Sequence, residues 1–333
     1  MAKILLFVPL LAFLLLGLAT ALLPFAFEVP PPENPATPEE LAGGEGEFLD
    51  LLGLSIYTKS AGAAETDDGT RLVLIHGFAS SVETWDDLFP VFGDFGTAVG
   101  FDRPGFGLSE RPLPDDDGTF ALGFNPYAPE TQLDLIDELA DGSGDGVVLV
   151  GHSAGGGLAL RYYYMRPSAV RAMILISPAV YQGGGTPEFV RPFLATPQMR
   201  KVGPALVGEF FGSGGSTFLE SAFYSEETIP ADIEETYYRP TRIVGWQRAF
   251  WEFVLASDTV DLVSDLDRVT VPVLVVTGDT DRIVPTEQSV QLAEDLPNAD
   301  LVVLEMTGHN AQEERPREVA EAIRAFLSNV LSN

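Results

Sequence analysis

A chain of 333 residues, 46% of them apolar, is long enough to bury a sizeable core, so disorder is not its default state. It has no cysteine, which excludes disulfides, thiolate chemistry and cysteine-ligated zinc or iron–sulfur sites. Nineteen basic against 49 acidic residues leave a net charge of −30, which repels nucleic acid and anionic lipid headgroups. Such an excess of carboxylates is either an adaptation to high ionic strength, which screens self-repulsion, or compositional drift in an acidic proteome. Salt adaptation predicts a melting temperature that climbs from low to molar salt; a flat profile leaves drift.

The chain begins with Met1-Ala2-Lys3 and an uncharged run from Ile4 to Phe27, longer than the roughly 20 residues that cross a bilayer as a helix. Lys3 precedes it and Glu28, Glu33, Glu39 and Glu40 follow. The positive-inside rule then predicts a single-pass membrane anchor, N-terminus cytoplasmic and the remainder outside. The alternative is a signal peptide cleaved near Ala19-Thr20-Ala21, giving a secreted protein. Residues 1–28 are assigned to this segment. Residues 29–47, rich in Pro, Gly and Glu, read as a stiff stalk, with folded structure expected from about Phe48.

Short, continuous apolar runs at 71–75, 97–101, 146–150, 173–176, 271–276 and 301–304 predict strands buried on both faces. Periodic segments at about 129–140, 154–165, 286–295 and 314–328 predict the intervening helices. That alternation predicts an α/β fold with a doubly wound, mostly parallel sheet. From 181 to 264 no buried strand can be read, and the stretch is rich in Phe, Tyr, Trp and Glu. It is too long for a structureless loop and predicts a helical cap between two parts of the core, 48–180 and 265–333.

Gly151-His152-Ser153-Ala154-Gly155 sits between a predicted strand and a predicted helix. A serine on so sharp a turn is strained, and small neighbours let the chain pass closely, which marks Ser153 as a candidate nucleophile. A serine hydroxyl needs a base that titrates near neutrality. Of the three histidines, His76 and His152 lie inside turn motifs, where packing or local hydrogen bonding suffices to explain them; His309 in Thr307-Gly308-His309-Asn310 is the candidate base. A carboxylate must then orient the imidazole. Asp279 and Asp281 of Gly278-Asp279-Thr280-Asp281 compete. Asp281, deeper in the loop, is preferred, with Asp279 bonding its own turn. Two backbone N–H groups are candidate oxyanion donors: Ala154, directly after the serine, and Phe78 in the loop His76-Gly77-Phe78-Ala79.

In order and approximate spacing, His76-Gly77-Phe78, Asp102-Arg103-Pro104-Gly105-Phe106-Gly107-Leu108-Ser109, Gly151-His152-Ser153-Ala154-Gly155-Gly156, Gly278-Asp279-Thr280-Asp281 and Gly308-His309 resemble the capped branch of the α/β-hydrolase superfamily. The resemblance covers about Phe48 to Val330. It implies a sheet of the eight-stranded type and a Ser153–Asp281–His309 triad, with the Asp102 turn shaping the site rather than reacting. Serine at position 153 sets the chain apart from the epoxide hydrolases and haloalkane dehalogenases of this branch, which carry aspartate there. No metal or organic cofactor is implied.

Cleavage of a carboxylic ester with an apolar acyl or aryl group, through an acyl-enzyme, is the expected activity. The insertion's aromatic residues, among them Phe189, Phe193, Trp246 and Phe250, suggest the apolar group, although packing alone also accounts for them. The alternatives are hydrolysis of carbon–carbon bonds in ring-cleavage diketones, and acyl transfer or perhydrolysis on the same acyl-enzyme. Outside enzymes, the alternative is a membrane-tethered binding protein that keeps the fold without the chemistry.

Overall fold

The computed structural model describes residues 23–332 apart from 27, 63–69, 116, 142, 145, 182–184, 213–214, 226, 228 and 230. Among the described residues eight strands form one sheet: β1 (Glu47–Leu51), β2 (Leu54–Ala61), β3 (Arg71–Ile75), β4 (Thr97–Phe101), β5 (Val147–His152), β6 (Val170–Ile176), β7 (Val273–Gly278) and β8 (Ala299–Leu304). Their spatial order is β1-β2-β4-β3-β5-β6-β7-β8. β2 runs antiparallel to β1 and β4, and the remaining neighbours pair in parallel.

β5 and β7 are buried along their whole length, because helices cover both faces. The two-residue side-chain period divides each strand between two cores. Val73 and Ile75 of β3 pack with Leu133 and Ile136 of helix Pro129–Ala140 and with Leu158 and Tyr162 of helix Ala154–Met165. Leu72 and Leu74 pack on the opposite face with Val319, Ile323 and Leu327 of helix Pro316–Leu331.

The β1–β2 hairpin escapes a search for apolar runs because Ser55, Thr58 and Lys59 interrupt β2. Lys59 is nevertheless buried, its Nζ donating to Asp86 Oδ2 at 2.9 Å and Glu45 Oε2 at 3.3 Å, so its charge is neutralised by partners distant in sequence. Folded structure also starts ahead of Phe48. Helix Pro38–Ala42 has a capping box, in which Glu40 N–H donates to Thr37 Oγ1 and Thr37 N–H to Glu40 Oε2, and it buries Leu41 and Ala42. The preceding residues are fastened to the segment between β6 and β7: Ala36 N–H donates to Arg242 O at 3.1 Å, and Arg242 Nε–H to Asn34 O at 3.0 Å.

The expectation of a single-pass membrane anchor has to be corrected. No helix among the described residues is long and apolar enough to cross a membrane. Most of the Ile4–Phe27 run lies outside the described residues, and Leu23–Ala26 within it form a single 3-10 turn. A membrane tether, and with it an outward-facing folded domain, therefore has no support among the described residues.

Between β6 and β7 the described residues form helices and no strand: Arg191–Leu194, Pro197–Gly212, Gly215–Ala222, Ala231–Tyr238 and Trp246–Ala256. The last of these meets the loop after β4 through Phe250 and Phe253, whose rings lie 5.6 and 4.6 Å from that of Phe106. The loops that follow β3, β5, β7 and β8 leave the sheet at its carboxyl edge, where open parallel sheets present their sites.

Candidate active site

Ser153 ends β5 and starts helix Ala154–Met165 with φ 52° and ψ −119°, a conformation costly for a residue with a Cβ. The turn is held by its own backbone. Ser153 N–H donates to Ile176 O at 2.9 Å, and Ser153 O accepts from Gly156 N–H at 2.9 Å and Ala179 N–H at 3.0 Å. Glycine is required on both sides of the serine. A Cβ on Gly151 would come within 2.6 Å of Gly155 O, and one on Gly155 within 2.1 Å of Ile75 O. Tight packing of helix against β3 is thus what makes the turn so sharp.

His309 lies in the loop after β8 and Asp281 in the loop after β7, and both are buried. His309 Nδ1–H donates to Asp281 Oδ2 at 2.8 Å. That bond fixes the proton on Nδ1 and leaves Nε2 as the free acceptor. The other carboxylate oxygen, Oδ1, accepts from Ile283 N–H at 2.9 Å and Val284 N–H at 2.8 Å, so the acid is clamped on both oxygens. Asp279 is exposed and accepts from Thr307 N–H at 3.2 Å, bracing the base of the His309 loop. Ser153 and His309 share no hydrogen bond in this structure. His152 lies between their loops: its Nε2–H donates to His309 O at 3.2 Å, and the two imidazole rings are 4.8 Å apart. Burial holds the His152 and His76 pKa values well below the usual histidine range, so both are neutral at pH 7.

A cavity of about 400 Å³ reaches Ala154, the residue after Ser153, and is further lined by Phe78, Leu158, Val180, Phe253 and Leu262, with Arg103 and Gln132 among its polar members. The N–H groups of Phe78 and Ala154 donate to no backbone carbonyl among the described residues. Both are thus spare donors at the edge of a mostly apolar chamber.

A model of the alpha/beta hydrolase family matches residues 72–322. The chain belongs to that family. Among its relatives, the uncharacterized hydrolase YugF of Bacillus subtilis is 26% identical over 260 residues, 77% of this chain and 89% of the relative. The 2-hydroxymuconate semialdehyde hydrolase of Pseudomonas putida is 28% identical over 238 residues, 68% of this chain and 75% of the relative. The solved structure of a thermophilic esterase from Thermogutta terrifontis superposes with a TM-score of 0.64 at 21% identity, covering 83% of this chain and 94% of that one. At that identity the likeness is one of fold. Of the five residues singled out from the sequence, Phe78, Ser153, Asp281 and His309 lie on the turns after β3, β5, β7 and β8, and Ala154 opens the helix that follows β5.

Three features complete the site: one left no sequence signal, and two lie in the Asp102-Arg103-Pro104-Gly105 motif, whose partners the sequence did not specify. The first is the segment Ala222–Tyr224. Ala222 O accepts from His309 N–H at 2.7 Å and Asn310 N–H at 3.2 Å, while Glu314 bridges Gly308 N–H at 2.7 Å and Tyr224 N–H at 2.8 Å. A backbone carbonyl inside a helical insertion leaves no trace in side-chain identity. The second is Arg103, whose guanidinium reaches Gly77 O at 2.9 Å.

The third is Asp102, buried where its Oδ1 accepts from Val82 N–H and its Oδ2 from Leu108 N–H, both at 2.6 Å. It thereby ties the loop after β3 to the loop after β4. Burial pushes its pKa up to about 6, against an ordinary value of 3.8. A folded pKa above the unfolded one means that folding takes up a proton between these values. The contribution of Asp102 to stability is then largest below about pH 4 and is lost as pH rises to about 6. Asp102→Asn cannot titrate and cannot accept at both ends. It is expected to be less stable than wild type by about 1–3 kcal/mol, with the gap narrowing from pH 4 to 6. Thermal melts of both proteins across that range test this; a gap that widens with pH contradicts it.

Proposed function

We propose that the protein is a serine hydrolase that cleaves carboxylic esters bearing an apolar acyl or aryl group. The observation that carries this reading is the Asp281–His309 hydrogen bond one loop away from a serine on a strained strand-to-helix turn, beside an apolar cavity. His309 Nε2 takes the Ser153 hydroxyl proton as Oγ attacks the ester carbonyl. The tetrahedral oxyanion receives the N–H groups of Phe78 and Ala154. Collapse expels the alcohol, protonated by the imidazolium, and leaves Ser153 acylated. Water then enters, is deprotonated by the same imidazole, and releases the acid. Asp281 keeps the imidazole in the required tautomer and stabilises the imidazolium. Substrate binding brings Ser153 Oγ and His309 into bonding reach, since catalytic hydrogen bonds are often long before substrate arrives.

A screen of p-nitrophenyl esters from acetate to palmitate, run beside a ring-cleavage diketone, tests the assignment. The expected result is turnover of esters that improves as the acyl chain grows to fill the cavity. Turnover of the diketone with poor activity on every ester would replace the ester reading with carbon–carbon bond hydrolysis. Inertness of folded wild-type protein toward all of them would leave the family without the proposed chemistry.

A further inference from the structure

We propose that Arg103 is a positioning residue: with His76 it fixes the Gly77–Phe78 peptide so that the Phe78 N–H is presented to the developing oxyanion. This rests on the acyl-transfer reading of Ser153 given above.

A peptide unit is planar, and no cis peptide bond occurs among the described residues, so the carbonyl of Gly77 and the N–H of Phe78 point in opposite directions. Whatever grips the one aims the other. Gly77 O is gripped twice: His76 Nδ1–H donates to it at 2.7 Å and an Arg103 guanidinium N–H at 2.9 Å. The grip cannot reverse, because Arg103 N–H donates at 3.0 Å to His76 Nε2, which leaves the imidazole proton on Nδ1. The far side of the fork is anchored too. Its second arm donates to Gln132 Oε1 at 3.1 Å, and the guanidinium carbon lies 5.0 Å from the ring centre of Phe106 and 5.7 Å from that of Phe253.

The gripped peptide abuts the nucleophile turn. A Cβ on Gly77 would stand 3.2 Å from Ser153 Cβ and 2.9 Å from His152 Nδ1, so residue 77 has no room for a side chain. Phe78, Ala154 and Arg103 line one and the same cavity. In a chain with 49 carboxylates, no carboxylate among the described residues pairs with this buried guanidinium. Burial lowers its pKa to about 9, which keeps it charged at neutral pH. An unpaired buried cation is costly for folding alone. Placed on the carbonyl of an amide whose N–H must bind an anion, it polarises that amide and strengthens the donor.

The test uses the full chain, a p-nitrophenyl ester that the wild type turns over, and a trifluoromethyl ketone of the same acyl group as oxyanion mimic. Arg103→Met is expected to lower kcat about 10- to 100-fold, somewhat less than deleting an oxyanion donor outright. KM should stay within about twofold, and affinity for the ketone should fall in step with kcat. Arg103→Lys keeps the charge but lacks the planar fork that holds Gly77 and Gln132 together, so it should recover only part of the loss. A folded Arg103→Met with wild-type kcat and ketone affinity overturns the proposal, as does a loss confined to KM. If Arg103→Met does not fold, Arg103→Lys decides, and wild-type kcat there overturns the proposal equally. Ser153→Ala in parallel separates the failures. If it remains active, the underlying reading is wrong; if it is inert while Arg103→Met is unimpaired, only this inference is.

Discussion

Ser153→Ala is expected to abolish labelling by a fluorophosphonate probe and to lower ester turnover by roughly a millionfold. Its effect on folding should be small. Alanine keeps the Cβ, so the backbone at φ 52° is no more strained than before, and the bonds that hold the turn run through the main chain of residues 153, 156, 176 and 179. A circular-dichroism melt beside the labelling gel separates loss of chemistry from loss of structure. His309→Ala should lose turnover to a similar degree, because nucleophile and base act as a unit and their removal is not additive. Intact wild-type protein that stays unlabelled would remove the basis of the proposed mechanism.

Asp281→Asn is expected to cost about 10⁴-fold in kcat, whereas Asp279→Asn should change it by no more than a few-fold. Asparagine at 281 can still accept from Ile283 and Val284 N–H through its carbonyl oxygen, so the loop should keep its shape. Its amide then faces His309 Nδ1 with donors. To bond it, the imidazole must move its proton to Nε2, the atom needed to receive the proton of Ser153. Asparagine at 279 keeps the one bond that matters there, from Thr307 N–H to Oδ1, and Asp279 is exposed. Steady-state kinetics of the two variants decide between the acids, and the reverse order would move the orienting role to Asp279.

Much of the sheet was legible because its strands are buried on both faces and so read as unbroken apolar runs. β3 and β4 coincide with the runs at 71–75 and 97–101, and helices Pro129–Ala140, Ala154–Met165 and Thr286–Asp295 with the periodic segments read there. β6 begins three residues ahead of its apolar run, at Val170, since Arg171 breaks the run without breaking the strand. β1 and β2 were not legible. β1 is an edge strand that buries none of its residues fully, and β2 carries a lysine whose burial depends on Asp86 and Glu45. Edge exposure and long-range charge pairing both erase the hydropathy pattern. Hydropathy errs once in the opposite direction: the apolar N-terminal run predicts a membrane span that no helix among the described residues supports.

The sequence by itself determined the family, the order of the site loops and the residue types available on them, because a strained turn, a base and an acid each need particular side chains at particular points of the chain. Only the tertiary structure put Asp281, the carboxylate the sequence favoured, against His309, burying it there while Asp279, two residues earlier on the same loop, stays exposed and bonds Thr307. It alone showed that the insertion grips the His309 loop through Ala222 O, and that Arg103 grips the carbonyl of Gly77. Main-chain carbonyls accept hydrogen bonds whatever the side chain, so contacts of this kind are recorded in space and not in residue identity.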